Sequence, residues 1–462
     1  MLKVFSHYFP VHVVQRLCLD LLLFVVAVVA LAAFRARGAN LEVDWHALLP
    51  SALGFAVTLV VLNFALGLYR PVDEDGPRAA FARLVLALLF CLPVAYGAML
   101  LLPWRGFASL WMQAETLVLT AVVLSLRALM NRSQASSLFA PRILVVGVGE
   151  DALEVQRSLF LPEQGRLEVC GFYPVSGDEG QLVDAAKIVS GGSLTEVAQK
   201  LKIDEIIVTM RERRGGTLPL RELLDCKLLG IRILDLSSFY ERVRRQVRLD
   251  SLRASWLIYG DGFHQAFQRV FVKRVFDLVI GSALFLLTSP VMLLTALMIL
   301  FEDRGPVFYR QERVGQGGQI FRIVKFRSMR PDAEKDGTPR WAVSNDDRVT
   351  RVGQIIRRVR IDELPQLLNV LAGDMSLVGP RPERPYFVDH LAREIPFYGV
   401  RHCVKPGLTG WAQVRYQYGS SIDDAVQKLQ YDLYYVKNHT LVLDTLVLLE
   451  TVHVVLSGDG AQ

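Results

Sequence analysis

Two adjacent carboxylates, Asp362 and Glu363, stand within Arg-Ile-Asp-Glu-Leu-Pro-Gln-Leu (Arg360 to Leu367), surrounded by an unusual density of positive charge. From Arg340 to Arg360 six arginines face two aspartates, and from Arg304 to Arg330 seven basic residues face one glutamate. A field of that sign holds a polyanion, and carboxylates inside it either ligate a divalent metal or attack phosphorus. Lys-Phe-Arg-Ser-Met (Lys325 to Met329) lies upstream and Gly-Pro-Arg-Pro-Glu (Gly379 to Glu383) downstream. The two prolines fix φ on either side of Arg381, so its guanidinium is presented at small entropic cost.

The elements that must position these groups can be read from spacing. Val349, Val352, Ile355, Ile356 and Val359 recur at helical intervals and predict a helix leading into Arg360. Pro365 opens a second helix over Gln366 to Leu371, which places the two acids at a helix N-terminus, where the dipole favours the ionised form. Acids at a helix start are commonplace. The company of Lys325, Arg327, Arg357, Arg358, Arg360 and Arg381 is what points to phosphoryl transfer.

The chain has 462 residues, 52% of them apolar, a mean hydropathy of +0.31 and a net charge of +6. Membrane segments are therefore expected, and the clustered cations need no nucleic acid to explain them. Five cysteines stand singly, with no metal or redox spacing, as in a reducing compartment. Four apolar runs, Leu17 to Phe34, Ala47 to Tyr69, Leu84 to Leu102 and Phe107 to Leu126, each have the ~20 residues needed to cross a bilayer. The first reads as a signal anchor. Lys3, Arg16, Arg70, Arg78, Arg83, Arg127, Arg132 and Arg142 lie on one side of these runs, and Arg35, Arg37 and Arg105 on the other. That bias puts both ends of the bundle in the cytoplasm. Glu115, inside the fourth run, predicts a contact within the bundle.

From Pro141 strands and helices alternate, with strands predicted at Arg142 onward, Leu167 to Tyr173, Glu205 to Met210 and Ile231 to Leu234. This is the pattern of a parallel α/β domain. Its turn Gly147-x-Gly149-x-x-Ala152 is a weak dinucleotide fingerprint, and Tyr173-Pro174-Val175 replaces the acid expected after the second strand. Arg242 to Arg253 reads as a connection. A fifth apolar run, Leu278 to Phe301, is interrupted by Ser289-Pro290, where a kink or break is expected, and is flanked by Lys273-Arg274 and Arg304. A helix that dips into the membrane and returns keeps both cationic flanks on one side, where an ordinary kinked span would separate them; the choice of re-entrance rests largely on the family resemblance given next. Tyr416, Tyr418, Tyr431, Tyr434 and Tyr435 suit either a membrane interface or a small core, and Leu441 to Leu456 reads as an interfacial or packed helix.

Lys273-Arg-Val-Phe-Asp277, Ser289-Pro290, Pro306-Val-Phe-Tyr-Arg-Gln-Glu-Arg-Val-Gly315, Lys-Phe-Arg-Ser-Met, Asp-Glu-Leu-Pro-Gln-Leu, Gly-Pro-Arg-Pro-Glu and Pro406-Gly-Leu-Thr-Gly-Trp occur in order. Together they resemble the bacterial sugar transferase family, monotopic phosphoglycosyl transferases acting on polyprenyl phosphate, in its long form. The resemblance implies a multidomain membrane protein of the bacterial inner membrane, with its catalytic domain on the cytoplasmic face. Its parts would be a four-span bundle (1–132), a Rossmann-like α/β domain (141–240), a linker (241–271) and a mainly α catalytic domain (272–462) with a re-entrant helix at about 273–303. It further implies transfer of sugar-1-phosphate from a UDP-sugar to undecaprenyl phosphate, releasing UMP, to start exopolysaccharide or O-antigen synthesis. Asp362 would be nucleophile and Mg²⁺ ligand, with Glu363 beside it. Lys325, Arg327, Arg360, Arg381, Arg310 and Arg313 would contact substrate, and Ser289 and Pro290 would mark the re-entrant break. The implied partners are these two substrates and the bilayer, with no nucleic acid; a homodimer is compatible. Two other readings compete: an NAD-dependent nucleotide-sugar dehydratase, which lacks its Tyr-x-x-x-Lys pair, and a non-enzymatic membrane sensor, which leaves Asp362 and Glu363 without a purpose.

Overall fold

The structure, a computed structural model, describes residues 2–4, 7–9, 11–39, 44–66, 68–69, 76–101, 110–130, 141–159, 168–175, 182–189, 191–210, 218–251, 267–330, 348–416, 419 and 421–457. Apart from its first few residues, the chain divides between Arg244 and Arg245 into two compact units.

The first unit opens with short strands β1 (Leu2–Val4) and β2 (His7–Phe9), followed by four helices where four apolar runs were predicted. These are α1 (Val11–Ala39), α2 (Trp45–Ala65), α3 (Gly76–Leu101) and α4 (Leu110–Met130). Over the described residues α1 and α2 are long and apolar enough to cross a membrane, while the apolar stretches of α3 and α4 are shorter. Phe24, Phe55, Leu59, Cys91, Met99 and Leu124 form their common core. Glu115 finds its predicted contact inside the bundle: Arg35 Nε donates to its Oε2 at 2.8 Å. Of the cations behind the orientation argument, Arg70, Arg105 and Arg132 lie outside the described residues, as do the side chains of Arg78, Arg83 and Arg127.

After this bundle comes a four-stranded parallel sheet in the order β4-β3-β5-β6, from β3 (Arg142–Val146), β4 (Glu168–Tyr173), β5 (Glu205–Val208) and β6 (Arg232–Asp235). Helices α5 (Glu150–Leu159), α6 (Leu194–Lys200), α7 (Leu220–Leu228) and α8 (Leu236–Val243) accompany it. Strand β3 is buried along nearly its whole length, as the continuous apolar run Ile-Leu-Val-Val requires of a central parallel strand. Arg242, taken from the sequence as the start of a connection, belongs to α8 and donates to the buried Glu205 at 2.7 Å.

The second unit is built on α9, one continuous helix over Phe267–Asp303. At 1.5 Å per residue it is about 55 Å long. The expected interruption at Ser289-Pro290 is not a break, because the helix continues through Pro290. One stripe of it is buried at Asp277, Gly281, Met292, Thr295 and Ile299, whereas Leu286, Leu287, Leu293, Leu294 and Phe301 are exposed. Then follow the antiparallel pair β7 (Phe308–Val314) and β8 (Ile320–Phe326), α10 (Arg351–Arg358) and α11 (Leu367–Ala372). Strand β9 (Ser376–Val378) precedes α12 (Pro385–Glu394), and β10 (Gly407–Thr409) precedes α13 (Trp411–Arg415), α14 (Ile422–Asn438) and α15 (Leu441–Ser457).

Trp411, Tyr434 and Tyr435 are fully buried, so these aromatics are core residues; Tyr418 lies outside the described residues. Helix α15 is a packed helix, with Leu443, Asp444 and Val447 inaccessible. Residues just beyond Arg244 are also integral to this unit: Trp411 Nε1 donates to Arg245 O at 2.9 Å, and Val247 N donates to Gln430 O at 3.0 Å. Residues 252–266 of the predicted linker lie outside the described residues. A fragment beginning at Arg245 is expected to form a protease-resistant core. One beginning at residue 252 orphans the buried indole N–H and loses about 1–3 kcal/mol. Limited proteolysis of both fragments in detergent compares them, and equal resistance would refute the role given to residues 245–251.

Candidate active site

Thr350 caps α10, its Oγ1 accepting from Gly353 N at 2.9 Å, and the helix ends before Arg360, which adopts a left-handed conformation (φ 56°). The chain then turns through a tight 3₁₀ segment, Ile361–Gln366, and enters α11. Asp362 and Glu363 therefore sit in this turn, immediately before α11, which begins at Leu367, one residue after the predicted Gln366. Helix α11 has only six residues, so its dipole counts for little and the neighbouring cations for more.

Glu363 is held from two sides. Lys325 Nζ lies 2.8 Å from its Oε1, and Arg381 Nη2 lies 2.7 Å from the same oxygen. Lys325 comes from β8 and Arg381 from the loop after β9, so three segments distant in sequence meet at one carboxylate. Burial alone would raise Glu363, but the charges and hydrogen bonds of Arg381 and Lys325 outweigh it and hold the carboxyl well below the usual range. Asp362 makes no hydrogen bond or ion pair among the described residues. Desolvation, and then the charge of Glu363, push its carboxyl up to about 6, against Lys325, Arg357 and Arg381. Arg357, half-buried at the end of α10, is thus a third cation acting on Asp362.

The other sequence candidates are placed differently. Arg313 is engaged with its surroundings, donating to Gln311 Oε1 at 2.6 Å and Pro382 O at 3.1 Å. Arg327 is buried, and its guanidinium lies so close to Gly305 that any side chain there would collide with it. Arg310 is exposed on β7, opposite Val324, and Arg360 is half-buried at the turn. Ser289 donates to Leu286 O at 2.8 Å within α9, and Pro290 is exposed. Among the described residues no group of three or more His, Cys, Asp or Glu is gathered. A divalent ion at Asp362 would have to complete its shell with water and substrate phosphates, as Mg²⁺ commonly does. Gly147 forms the turn after β3 at φ 123°, but Glu150 and Asp151 occupy the first turn of α5, and Leu182 N donates to Val148 O at 3.0 Å. Acids at that helix start oppose a bound phosphate.

Support for the Arg381 loop comes both from motif residues and from Arg401, Asp432 and Asn369, which no motif singled out. Strands β9 and β10 pair in parallel, Gly407 with Ser376 and Thr409 with Val378, and Gly379 N donates to Thr409 O at 2.9 Å. A Cβ on Gly379, Gly407 or Gly410 would strike the other strand's backbone, which explains the glycines of both motifs. Arg401 donates to Arg381 O at 2.9 Å and pairs with the buried Asp432 at 2.8 Å. Burial pushes Asp432 up to about 6, opposed by Arg401. Asn369 receives Val324 N at 3.0 Å and donates to Arg322 O at 2.9 Å, fastening the strand that carries Lys325. At the start of α9, Asp277 receives Ser376 Oγ and Leu377 N, while Lys273 pairs with Asp444 at 2.8 Å. Tyr435 Oη contacts Asp444 Oδ1 at 2.7 Å and Val378 O at 2.9 Å, so the same cluster reaches the end of β9.

The site thus consists of two adjacent carboxylates, one of them held by two cations, in a module built against a long apolar helix. Residues 268–458 match the family described as bacterial sugar transferase. The UDP-N-acetylgalactosamine-undecaprenyl-phosphate N-acetylgalactosaminephosphotransferase of Aeromonas hydrophila is 42% identical over 269 residues, 57% of this chain and 61% of that protein. The UDP-glucose:undecaprenyl-phosphate glucose-1-phosphate transferase of Xanthomonas campestris pv. campestris is 30% identical over 354 residues, 75% of this chain and 73% of that protein. A Caulobacter vibrioides protein of the same name is 45% identical over 192 residues, 41% of this chain and 71% of that protein. The chain belongs to the bacterial sugar transferase family.

Arg401→Met is expected to cost roughly 3–5 kcal/mol at neutral pH, since it strands a buried carboxylate. The cost should shrink as pH falls through about 6, where Asp432 becomes neutral in the native protein. Denaturant midpoints in detergent at pH 8 and pH 5 test both statements; a pH-independent cost would mean that the pair carries no charge.

Proposed function

We propose that this chain transfers sugar-1-phosphate from a UDP-sugar to undecaprenyl phosphate through a phospho-aspartyl intermediate on Asp362. One observation carries the reading. Of two adjacent carboxylates, Glu363 is fully committed to Lys325 and Arg381, and Asp362 is left available. An ion-paired carboxylate organises cations, whereas an unpaired one beside them is a nucleophile.

In the first half-reaction an Asp362 carboxylate oxygen attacks the β-phosphorus of the donor. The bond from that phosphorus to the bridging oxygen breaks, and UMP leaves with the electron pair. In the second, a phosphate oxygen of the lipid attacks the same phosphorus, and the Asp362 carboxylate departs. Lys325 and Arg381, oriented by Glu363, are placed to neutralise the phosphate oxygens, and the charge of Arg357 favours the ionised nucleophile. Mg²⁺, bound by Asp362 and the donor phosphates, would supply charge neutralisation at the leaving phosphate.

The module is proposed to stand on the cytoplasmic face of the inner membrane, with α9 re-entrant. Both ends of α9 are bound by the same module: Arg274 donates to Val370 O and Leu371 O, and Glu302 receives Val352 N. Met292 and Ile299 pack with Phe326 and Ile356 between those ends. A helix attached to one module at both ends, with its outward stripe apolar, suits insertion into a single leaflet. The four helices of the first unit would anchor the chain, and the parallel sheet, Rossmann-like in order once the parallel bridge of Ile188 to Phe172 is counted as its outer strand, would be non-catalytic.

Asp362→Asn is expected to reduce transfer to background. Wild-type enzyme given UDP-sugar and Mg²⁺ without lipid should release about one UMP per site, with the phosphosugar found on the Asp362 peptide by mass spectrometry. UMP release only in the presence of lipid, with no adduct, would favour direct displacement. The acid limb of kcat/KM should fall near pH 6, because Asp362 must be ionised, and Glu363→Gln should move it downward by removing a neighbouring negative charge. A limb that moves upward in that variant would refute the assignment. Cysteines placed near Arg274 and Arg304 should be equally protected from an impermeant thiol reagent in intact cells, and labelling at one flank only would establish a full span.

A further inference from the structure

The two-stranded sheet of β7 and β8 brings more than Lys325 to the carboxylate site. Tyr309 is the register partner of Lys325, and Gln311 and Arg313 follow it opposite Ile323 and Phe321. Directly opposite residues of an antiparallel pair share a face, with Cβ atoms about 4.5–5.5 Å apart. That face meets the catalytic segments at both ends: Lys325 Nζ donates to Glu363 Oε1 at 2.8 Å, and Arg313 Nη1 donates at 3.1 Å to Pro382 O, next to Arg381. Between these contacts Ile323 is 2% exposed. Tyr309 is the exposed member of the face, at 39%. Gln311 Nε2 donates to its Oη at 3.2 Å, and Gln311 Oε1 accepts from Arg313. A partly exposed aromatic ring is thus tethered along the strand, beside the cation that holds Glu363. Arg310, the next residue, falls on the opposite face with Val324.

We propose that Tyr309 is the platform on which the nucleobase of the donor stacks, an assignment that rests on reading the site as one for a UDP-sugar. In-line attack by Asp362 sends the leaving nucleotide to the far side of the phosphorus. Its base must then lie beyond the phosphate-neutralising cations, seen from Asp362. Strand β8 packs against the 3₁₀ turn that carries Asp362 and Glu363, and β7 is the farther of the two strands from it. Tyr309 therefore stands one strand out from Lys325, on the face that meets the site. The donor's sugar does not belong there, because it is carried on the phosphorus that Asp362 attacks. A uracil is planar and presents a π-face, which an aromatic side chain matches. Stacking reads no hydrogen-bonding edge, so Tyr309 supplies affinity for the nucleotide and leaves the choice of base to other groups.

Titration calorimetry of the full-length protein in detergent, with UDP and Mg²⁺ and no lipid, reads this contact without turnover. Tyr309→Ala is expected to weaken UDP binding about tenfold, with Tyr309→Phe and Tyr309→Trp close to wild type. Inorganic pyrophosphate keeps the two phosphates and lacks the base, so wild type and Tyr309→Ala should bind it alike. In Tyr309→Trp, UDP should quench a tryptophan emission that the wild type does not have. Tyr386, a more exposed tyrosine on α12, is the control, and Tyr386→Ala should bind UDP as the wild type does. Equal UDP affinity in wild type and Tyr309→Ala would overturn the platform alone. So would a loss that falls on pyrophosphate as well, which would mean a structural defect. A defect with UDP-sugar that UDP does not show would put the sugar on the ring and overturn it too. Absence of UDP binding from the wild type would overturn the donor reading and the platform together.

Discussion

The catalytic unit depends on one carboxylate shared by two cations. Glu363 lies between Lys325 and Arg381, and each partner arrives from a different part of the chain. Burying any one of these charges alone is costly, and burying all three is tolerable only if they meet. The contact therefore sets where β8, the turn before α11 and the loop after β9 must lie relative to one another. It also creates an asymmetry between chemically similar neighbours, because a group with two salt bridges has little left to offer a substrate. Asp362 inherits the cationic surroundings without the bonds, and burial keeps its proton more tightly than usual.

Around that contact, positioning is achieved largely by backbone. The parallel pair of β9 and β10 brings Gly379 and Gly407 so close that neither strand can carry a side chain there. This fixes the origin of the Arg381 loop at a distance no flexible side chain could hold, and Arg401 then pins the Arg381 carbonyl. Helix α9 enters the same scheme through Asp277, which receives the first two residues of β9. Helix α9 and the strand that leads into the Arg381 loop are thus joined through a single side chain.

Much of this was legible in advance, for identifiable reasons. Buried parallel strands read as continuous apolar runs, so the four strands of the sheet were located to within a residue or two. The carboxylate pair stood out because charge density is a property of composition. The left-handed Arg360 was not legible, since spacing reports a helical face and not the residue that ends it; the acids were placed correctly before a helix, but the 3₁₀ turn that carries them went unseen. Of the kink or break expected at Pro290, the break is absent, because neighbouring side chains can hold a helix through a proline. Arg401 with Asp432 and Asn369 with β8 escaped notice because their partners are remote and neither residue type is diagnostic alone. Tyr434 and Tyr435 could have been surface or core by type, and packing alone decided.

The order in which the chain is made gives the buried stripe of α9 another significance. On the ribosome this helix emerges well before most of what it packs against. Val352 follows Glu302 by 50 residues, and the Ser376 and Leu377 groups that satisfy Asp277 follow it by 99 and 100. In that interval the nascent helix carries Asp277 without the Ser376 and Leu377 donors that later bind it. The partners of Asp277 are thus among the last of this helix's surroundings to be made, and until then its carboxylate has, of the described residues, only Lys273, one turn earlier, beside it.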